Sequence, residues 1–226
     1  ILEFCRKNHV SKILYAQSFG DIKNYAEKDI LLKPDMKPDF SYNTDHTIYV
    51  MTKNFTVDMI KNYNQMYGIS AFIFRLPTIY LYSKTDTYFV DGEERKIGYR
   101  LLIDNAIEGK DIEIWGDKTR KKDMVYVKDF CQMMYKALIS DRKFGHYNVG
   151  TGVGTSLEKQ IEGIIDVFSD GVHKSKIIER KDKPNSPQYI MDIQNAKDEL
   201  GYEPKYNYIE MLKDLKREMN EKRFDC

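Results

Sequence analysis

Cysteine is scarce: Cys5, Cys131 and Cys226 are the only three in 226 residues, widely separated, odd in number and without a Cys-x-x-Cys pair. That excludes a disulfide framework and a cysteine-built structural zinc site, and it fits a reducing cytosol. No apolar run reaches the ~18 residues needed to span a bilayer. Neither sign of charge is in excess, since 36 Lys and Arg face 35 Asp and Glu. A net charge of +1 provides no field for phosphate-backbone binding, which argues against a general nucleic-acid role. The front lacks a basic, apolar, small-residue signal peptide; Ile1 to Asn8 read as the last turns of an amphipathic helix, so the chain is expected to be cut there. There is no internal repeat and no low-complexity tract.

What is present suffices for one large domain or a core plus a lobe, because 42% of the residues are hydrophobic. Lys12 to Ala16 is a short apolar run that predicts a buried parallel strand. Asp21 to His46 carries Pro34 and Pro38 among Asp, Asn and Lys, which disfavours a continuous helix and predicts a surface excursion or lid. From Ile48 to Tyr67, Ile48, Met51, Phe55, Met59, Ile60 and Tyr63 recur at helical spacing, and Gly68 supplies the stop. Ala71 to Leu76 is a second buried strand, closed by Pro77. Strand, helix, strand implies a parallel sheet.

Further on, the pattern predicts a helix near Tyr99 to Glu108, an alternating strand Ile112 to Trp115 before the Gly116-Asp117 turn, and a strand Met124 to Val127. Asp129 is expected to cap a helix whose Phe130, Met133, Met134, Ala137 and Leu138 share a face. Tyr147 to Val149 is a short strand, and Thr155 with Glu158 reads as a capping box for the helix after it. Lys176 to Ile178 reads as an edge strand. Asn195 to Leu200 is a short helix stopped by Gly201, and a charged helix ends the chain.

Gly150, Gly152 and Gly154 sit between a strand and a helix, where glycines can cradle a dinucleotide pyrophosphate. Their spacing does not match Gly-x-Gly-x-x-Gly, because Thr155 stands where the third glycine is needed, so a tight turn is expected. Tyr49 and Lys53 carry more chemistry, since an offset of four puts phenol and ammonium on one helix face. A nearby cation favours the phenolate and prepares a tyrosine to act as general base. Ser18 follows the first strand at the sheet edge where open α/β folds collect ligands. Its hydroxyl is placed to bond both substrate and Tyr49, or simply to cap a helix. Arg75-Leu-Pro-Thr-Ile-Tyr80 closes the next strand at the same edge, and Gly116 to Asp129 adds a Lys- and Arg-rich strand-turn-strand.

Serine, then Tyr-x-x-x-Lys, then Arg-Leu-Pro-x-x-Tyr, then a Gly-Asp turn running into Asp-x-Val-Tyr-Val-x-Asp resembles an extended short-chain dehydrogenase/reductase over nearly the whole chain. More narrowly it is similar to the NAD-dependent epimerase/dehydratase family that acts on nucleotide sugars, as UDP-glucose 4-epimerase does. The resemblance implies an α/β fold: a partial Rossmann-like parallel sheet with a smaller α/β substrate-binding lobe. Residues 1–80 would belong to the dinucleotide-binding domain and 81–226 mostly to the lobe, with 124–150 returning to the core.

By the same resemblance Tyr49 is the acid/base toward a sugar hydroxyl, Lys53 tunes it and holds the nicotinamide ribose, and Ser18 orients the hydroxyl. Pro77 and Thr78 would border nicotinamide and sugar. Lys122 stands at the place of an arginine that grips the diphosphate, Arg120 is its possible substitute, and Trp115 aligns near the nucleotide base. Gln17 stands where a small residue is more usual, and the N-terminal units carrying the glycine fingerprint are missing. The chain is therefore expected to be a fragment of a nucleotide-sugar epimerase that uses NAD when whole, inactive alone. It would be cytoplasmic and would self-associate as a homodimer through the Tyr49 helix or as a rearranged oligomer. A non-catalytic nucleotide-sugar-binding module and a dehydratase or reductase are the competing readings.

Overall fold

A computed structural model describes residues 1–28, 30–90 and 92–223. Cys226 lies outside the described residues. A short helix α1 (Leu2–Lys7) leads into β1 (Lys12–Ser18), a 3-10 helix (Phe19–Lys28) and β2 (Leu31–Leu32). Then come α2 (Thr47–Tyr67) and β3 (Ser70–Leu76). Gly68 ends α2 at φ 69°, a left-handed conformation that glycine adopts without steric cost. β3 is the middle of a three-stranded parallel sheet, pairing with β1 (Lys12↔Ser70 to Ser18↔Leu76) and with a later strand, Phe144–Asn148.

Alternation along β3 builds two packing faces. Ala71 and Ile73 point with Ile13 and Tyr15 toward Val57 and Ile60 of α2. Phe72 and Phe74 point the other way, into a cluster with Ile22, Leu32, Val125, Met133 and Tyr147. Each such fully buried side chain stabilises the fold by about 1.5–3 kcal/mol. α2 buries Thr47, Val50, Val57 and Ile60, of which Val57 and Ile60 pack on the sheet and Val50 lies against Gly20 of the 3-10 helix. Of the apolar stripe expected from the sequence, Ile48, Met51 and Phe55 face outward and only Ile60 is fully buried, because the face nearest the sheet starts one turn position away.

After β3 the chain forms β4 (Ile79–Tyr80), the hairpin β5 (Thr87–Val90) and β6 (Glu93–Lys96), α3 (Gly98–Ile107) and β7 (Ile112–Trp115), whose burial alternates as expected. β8 (Lys121–Asp123) and β9 (Val125–Tyr126) follow, then α4 (Val127–Ile139) and β10 (Phe144–Asn148). The remainder is β11 (Gly154–Ser156), α5 (Leu157–Phe168), β12 (Ile177–Arg180), β13 (Ile190–Met191), α6 (Gln194–Leu200) and α7 (Tyr208–Glu221). A second core unites α3, β7, α5 and α7 around Ile103, Ile114, Ile161, Ile164, Leu212 and Leu215. Among the described residues, no helix is long and apolar enough to cross a membrane.

Four local expectations are corrected. The segment from Asp21 is not all surface excursion: Ile22, Ala26 and Leu32 are in the core and Asp21 itself is buried against Arg75. The strand expected over Met124 to Val127 stops at Tyr126, and α4 begins at Val127. Asp129 therefore lies inside the first turn rather than at the cap, where its carboxylate accepts from the amides of Lys205 and Tyr206. The cap of α5 is Ser156, whose Oγ accepts from Lys159 N, because Thr155 is taken into β11 opposite Lys122; the full capping box is on α7, between Asn207 and Glu210.

Candidate active site

β1 ends at Ser18 and β3 at Leu76, side by side, so Ser18, Pro77 and Thr78 emerge together from the carboxyl edge of the parallel sheet. Thus two short sequence motifs become one rim. α2 passes over this rim, and Tyr49 and Lys53 both reach it. Lys53 Nζ donates to Ala16 O at 2.8 Å and lies 5.6 Å from the Tyr49 ring centre and 5.1 Å from that of Tyr15. Tyr49 is half-exposed. Ser18 Oγ accepts from Gly20 N at 3.1 Å, so the hydroxyl caps the 3-10 helix while lining the cleft. Gly20 is needed there: a Cβ would sit 2.9 Å from Val50 Cγ2 of α2 and 3.2 Å from Ser18 Oγ.

Three cavities adjoin at Thr78. A cleft of about 450 Å³ is bordered by Ala16, Ser18, Tyr49, Lys53, Pro77 and Thr78. A chamber of about 470 Å³ is lined by Ser18, Asn24, Thr44, His46, Tyr49 and Lys122 together with Phe19, Phe40 and Val50. A larger cavity of about 820 Å³ runs past Thr78, Tyr80, Lys122 and Tyr189 to Tyr88 and Trp115. Thr78 hydrogen-bonds the Tyr189 hydroxyl, and burial pushes that phenol up to about 12.

Lys122 lies in the wall shared by the chamber and the larger cavity, and among the described residues no group pairs with its ammonium. Burial, then the charge of Arg120, holds its pKa below the ordinary lysine range. A partly buried cation that no described residue pairs is a place suited to an anion. Arg120 is not brought into these cavities: its Nη2 is 2.5 Å from Glu27 Oε2 and its Nε donates to Ser186 O. Trp115 is on the outward face of β7, half-exposed, with Nε1 donating to Glu113 at 2.8 Å and the Lys183 ammonium 5.4 Å from its ring.

Beneath the rim lies a buried polar network that the sequence did not announce. Gln17 Nε2 donates to Asp21 Oδ2 (2.8 Å) and Asn54 Oδ1 (2.9 Å), and its Oε1 pairs with His146 Nε2 at 2.8 Å. Arg75 grips the same Asp21 oxygen through Nε and Nη2 and donates to Pro34 O and Asn148 Oδ1. His146 is driven down to about 3 by burial, then by the charges of Arg75 and Lys61, so it remains neutral. The only available signal was Gln17 itself, a large amide beside the serine.

The glycine cluster is filled from inside. Asp123 accepts from Thr151 N, Gly152 N and Met191 N, and a Cβ on Gly150 would meet its Oδ2 at 2.6 Å. The amides that would cradle a phosphate hold a carboxylate of the protein instead.

Residues 1–150 match the NAD dependent epimerase/dehydratase family. A Methanocaldococcus jannaschii protein described as a putative UDP-glucose 4-epimerase is 28% identical over 222 residues, covering 97% of this chain and 66% of the relative; a second relative from that organism is covered over 60% of its length. A dTDP-glucose 4,6-dehydratase of Xanthomonas campestris is 30% identical over 119 residues, 48% of this chain and 33% of that protein. The fold is that of a Thermotoga maritima UDP-glucose 4-epimerase crystallised with UDP-glucose, with a TM-score of 0.77 at 21% identity over 97% of this chain and 67% of that one.

Proposed function

Since the chain belongs to the NAD dependent epimerase/dehydratase family, we propose that it carries the sugar-oxidising centre of a nucleotide-sugar 4-epimerase of the UDP-glucose 4-epimerase kind. The observation that supports this most is Tyr49 and Lys53 sharing one face of α2 over the parallel sheet's carboxyl edge, in a cleft with Ser18 and Thr78. The residues bordering that cleft fit the nicotinamide end of NAD, with Lys53 to hold ribose hydroxyls and Pro77 to border the ring. When bound, NAD supplies the acceptor and donor of hydride.

Tyr49 Oη takes the proton of the sugar hydroxyl as the carbon is oxidised, and returns a proton when it is reduced on the opposite face. Ser18 bonds the same oxygen, and Lys53 holds positive charge beside the phenol. Lys122 meets the diphosphate, as a point charge rather than a bidentate fork. The half-exposed Trp115 offers a stacking surface for the base. No Gly-x-Gly-x-x-Gly turn occurs in the 226 residues, and the one glycine cluster encloses Asp123. On this reading the chain binds nucleotide sugar and does not turn it over unaided. The outward apolar face of α2, with Ile48, Met51 and Phe55, is its homodimer surface.

Calorimetric titration of the chain with UDP-glucose and dTDP-glucose tests the reading. Micromolar binding that Lys122→Ala weakens at least tenfold is the expected result. Absence of binding to every nucleotide hexose tried overturns it. A dehydratase reading is supported by the 30% relative; it requires a second proton-transfer group near Ser18, where the chain continues with Phe19 and Gly20.

A further inference from the structure

Three consecutive residues of β1 hold two consecutive residues of α2. The Tyr15 hydroxyl donates to Lys53 O at 3.4 Å, Lys53 Nζ donates to Ala16 O at 2.8 Å, and Gln17 Nε2 donates to Asn54 Oδ1 at 2.9 Å. The Lys53 ammonium also lies 5.1 Å from the centre of the Tyr15 ring, within the range at which a cation is attracted to an aromatic face. Tyr15 thus meets Lys53 twice, at its backbone carbonyl and at the charged end of its side chain.

The two phenols near that ammonium differ in how firmly they are held. Tyr49 is half-exposed near the start of α2. Tyr15 stands on the face of β1 that packs, with Ile13, against Val57 and Ile60 of α2. It is therefore the ring that the core fixes in place. A lysine stem has much rotamer freedom to lose, so a ligand that has to order it binds more weakly than one that finds it ordered. Among the described residues Ala16 O is the acceptor that Lys53 Nζ bonds, which leaves two of its three N–H groups for the cleft it borders.

We propose that Tyr15 is a positioning residue for Lys53. Its ring, together with Ala16 O, fixes the ammonium at the edge of the cleft before any ligand arrives, so that two N–H donors are presented to the hydroxyls of a ribose. Tyr15 itself borders none of the three cavities, and its effect on a ligand is exerted through Lys53. The inference deepens the reading of the site given above and rests on it, because the ribose for which Lys53 is held belongs to that reading.

The test needs no cofactor. The folded chain is labelled with a trace of acetic anhydride and the product is read peptide by peptide by mass spectrometry, which measures how often the Lys53 amine leaves its place. Tyr15→Leu is expected to raise the Lys53 rate about fivefold relative to the exposed Lys159 and Lys197 of the same chain, the size of one cation–π contact. Tyr15→Phe keeps the ring and is expected to stay within about twofold of the wild type. General loosening of the fold would raise all lysines together. The second readout is the NMR signal of the Lys53 Cε protons, identified by its loss in Lys53→Arg; the neighbouring ring is expected to move it upfield in the wild type and in Tyr15→Phe, and less so in Tyr15→Leu. Equal Lys53 labelling in wild type and Tyr15→Leu, or equally fast labelling in Tyr15→Phe and Tyr15→Leu, overturns the inference and leaves the nucleotide-sugar reading standing. A wild-type Cε signal at the position of the exposed lysines overturns it without any variant. The nucleotide-sugar reading fails separately, by absence of UDP-glucose binding to the wild type.

Discussion

Gln17 Nε2 donates to Asn54 Oδ1 at 2.9 Å, fastening the penultimate residue of β1 to the residue after Lys53 on α2. One amide thereby sets the spacing between the strand that bears Ser18 and the helix that bears Tyr49 and Lys53. Gln17→Leu leaves Asn54, Asp21 and His146 each short of a buried partner, and each unsatisfied group costs about 1–3 kcal/mol. We expect a loss of at least about 2 kcal/mol in urea unfolding. An unchanged midpoint and slope would remove the network from the account of the site.

His146 gives stability a pH dependence of definite sign. Its folded value is depressed from 6.5 to about 3, so between those values the unfolded chain holds more protons. Its contribution is fully present above pH 6.5 and is lost as pH falls toward 3, at about 1.4 kcal/mol per unit. The difference between the wild type and His146→Gln, measured by denaturant unfolding from pH 7 to 4, isolates this from the acidic residues. Parallel curves for the two proteins contradict it.

Lys122 should make diphosphate binding sensitive to alkali sooner than an ordinary lysine would. Its free-state pKa is lowered by burial and by Arg120, and an anion beside it restores the charged form. Binding therefore takes up a proton above the lowered value, and affinity falls as pH rises through it. Calorimetry with UDP in buffers of different ionisation enthalpy reads that uptake directly. Lys122→Met should abolish it.

Gly20→Ala probes the approach of α2 to Ser18. The new methyl would lie 2.9 Å from Val50 and 3.2 Å from Ser18 Oγ, so α2 and the 3-10 helix that bears Gly20 must give by several tenths of an ångström. A cost of about 1–3 kcal/mol is expected from such overpacking. Val50→Ala in the same chain should recover part of it, and no recovery would show the strain to lie elsewhere.

The outward face of α2 predicts a concentration-dependent dimer. Phe55 is 65% exposed and Ile48 69%. Phe55→Asp should shift light-scattering mass from dimer to monomer without changing the unfolding midpoint of the monomer. A wild type that stays monomeric at high concentration refutes the assignment.

Sequence alone determined the elements whose causes are local. Continuous apolar runs made β1 and β3, αL glycines ended α2 and α6, and the four-residue step of Tyr49 and Lys53 placed both on one helix face whatever the helix packs against. Tertiary structure decided what depends on partners distant in the chain. It turned Val57 and Ile60 rather than Ile48, Met51 and Phe55 toward the sheet, because burial depends on where a helix lands and periodicity does not. It drew Arg120 to Glu27, left Lys122 without a partner among the described residues, closed the glycine turn around Asp123, and joined Gln17 to Asn54 and His146. Such polar pairings form between segments tens of residues apart, where a low local dielectric makes them consequential and no spacing rule records them.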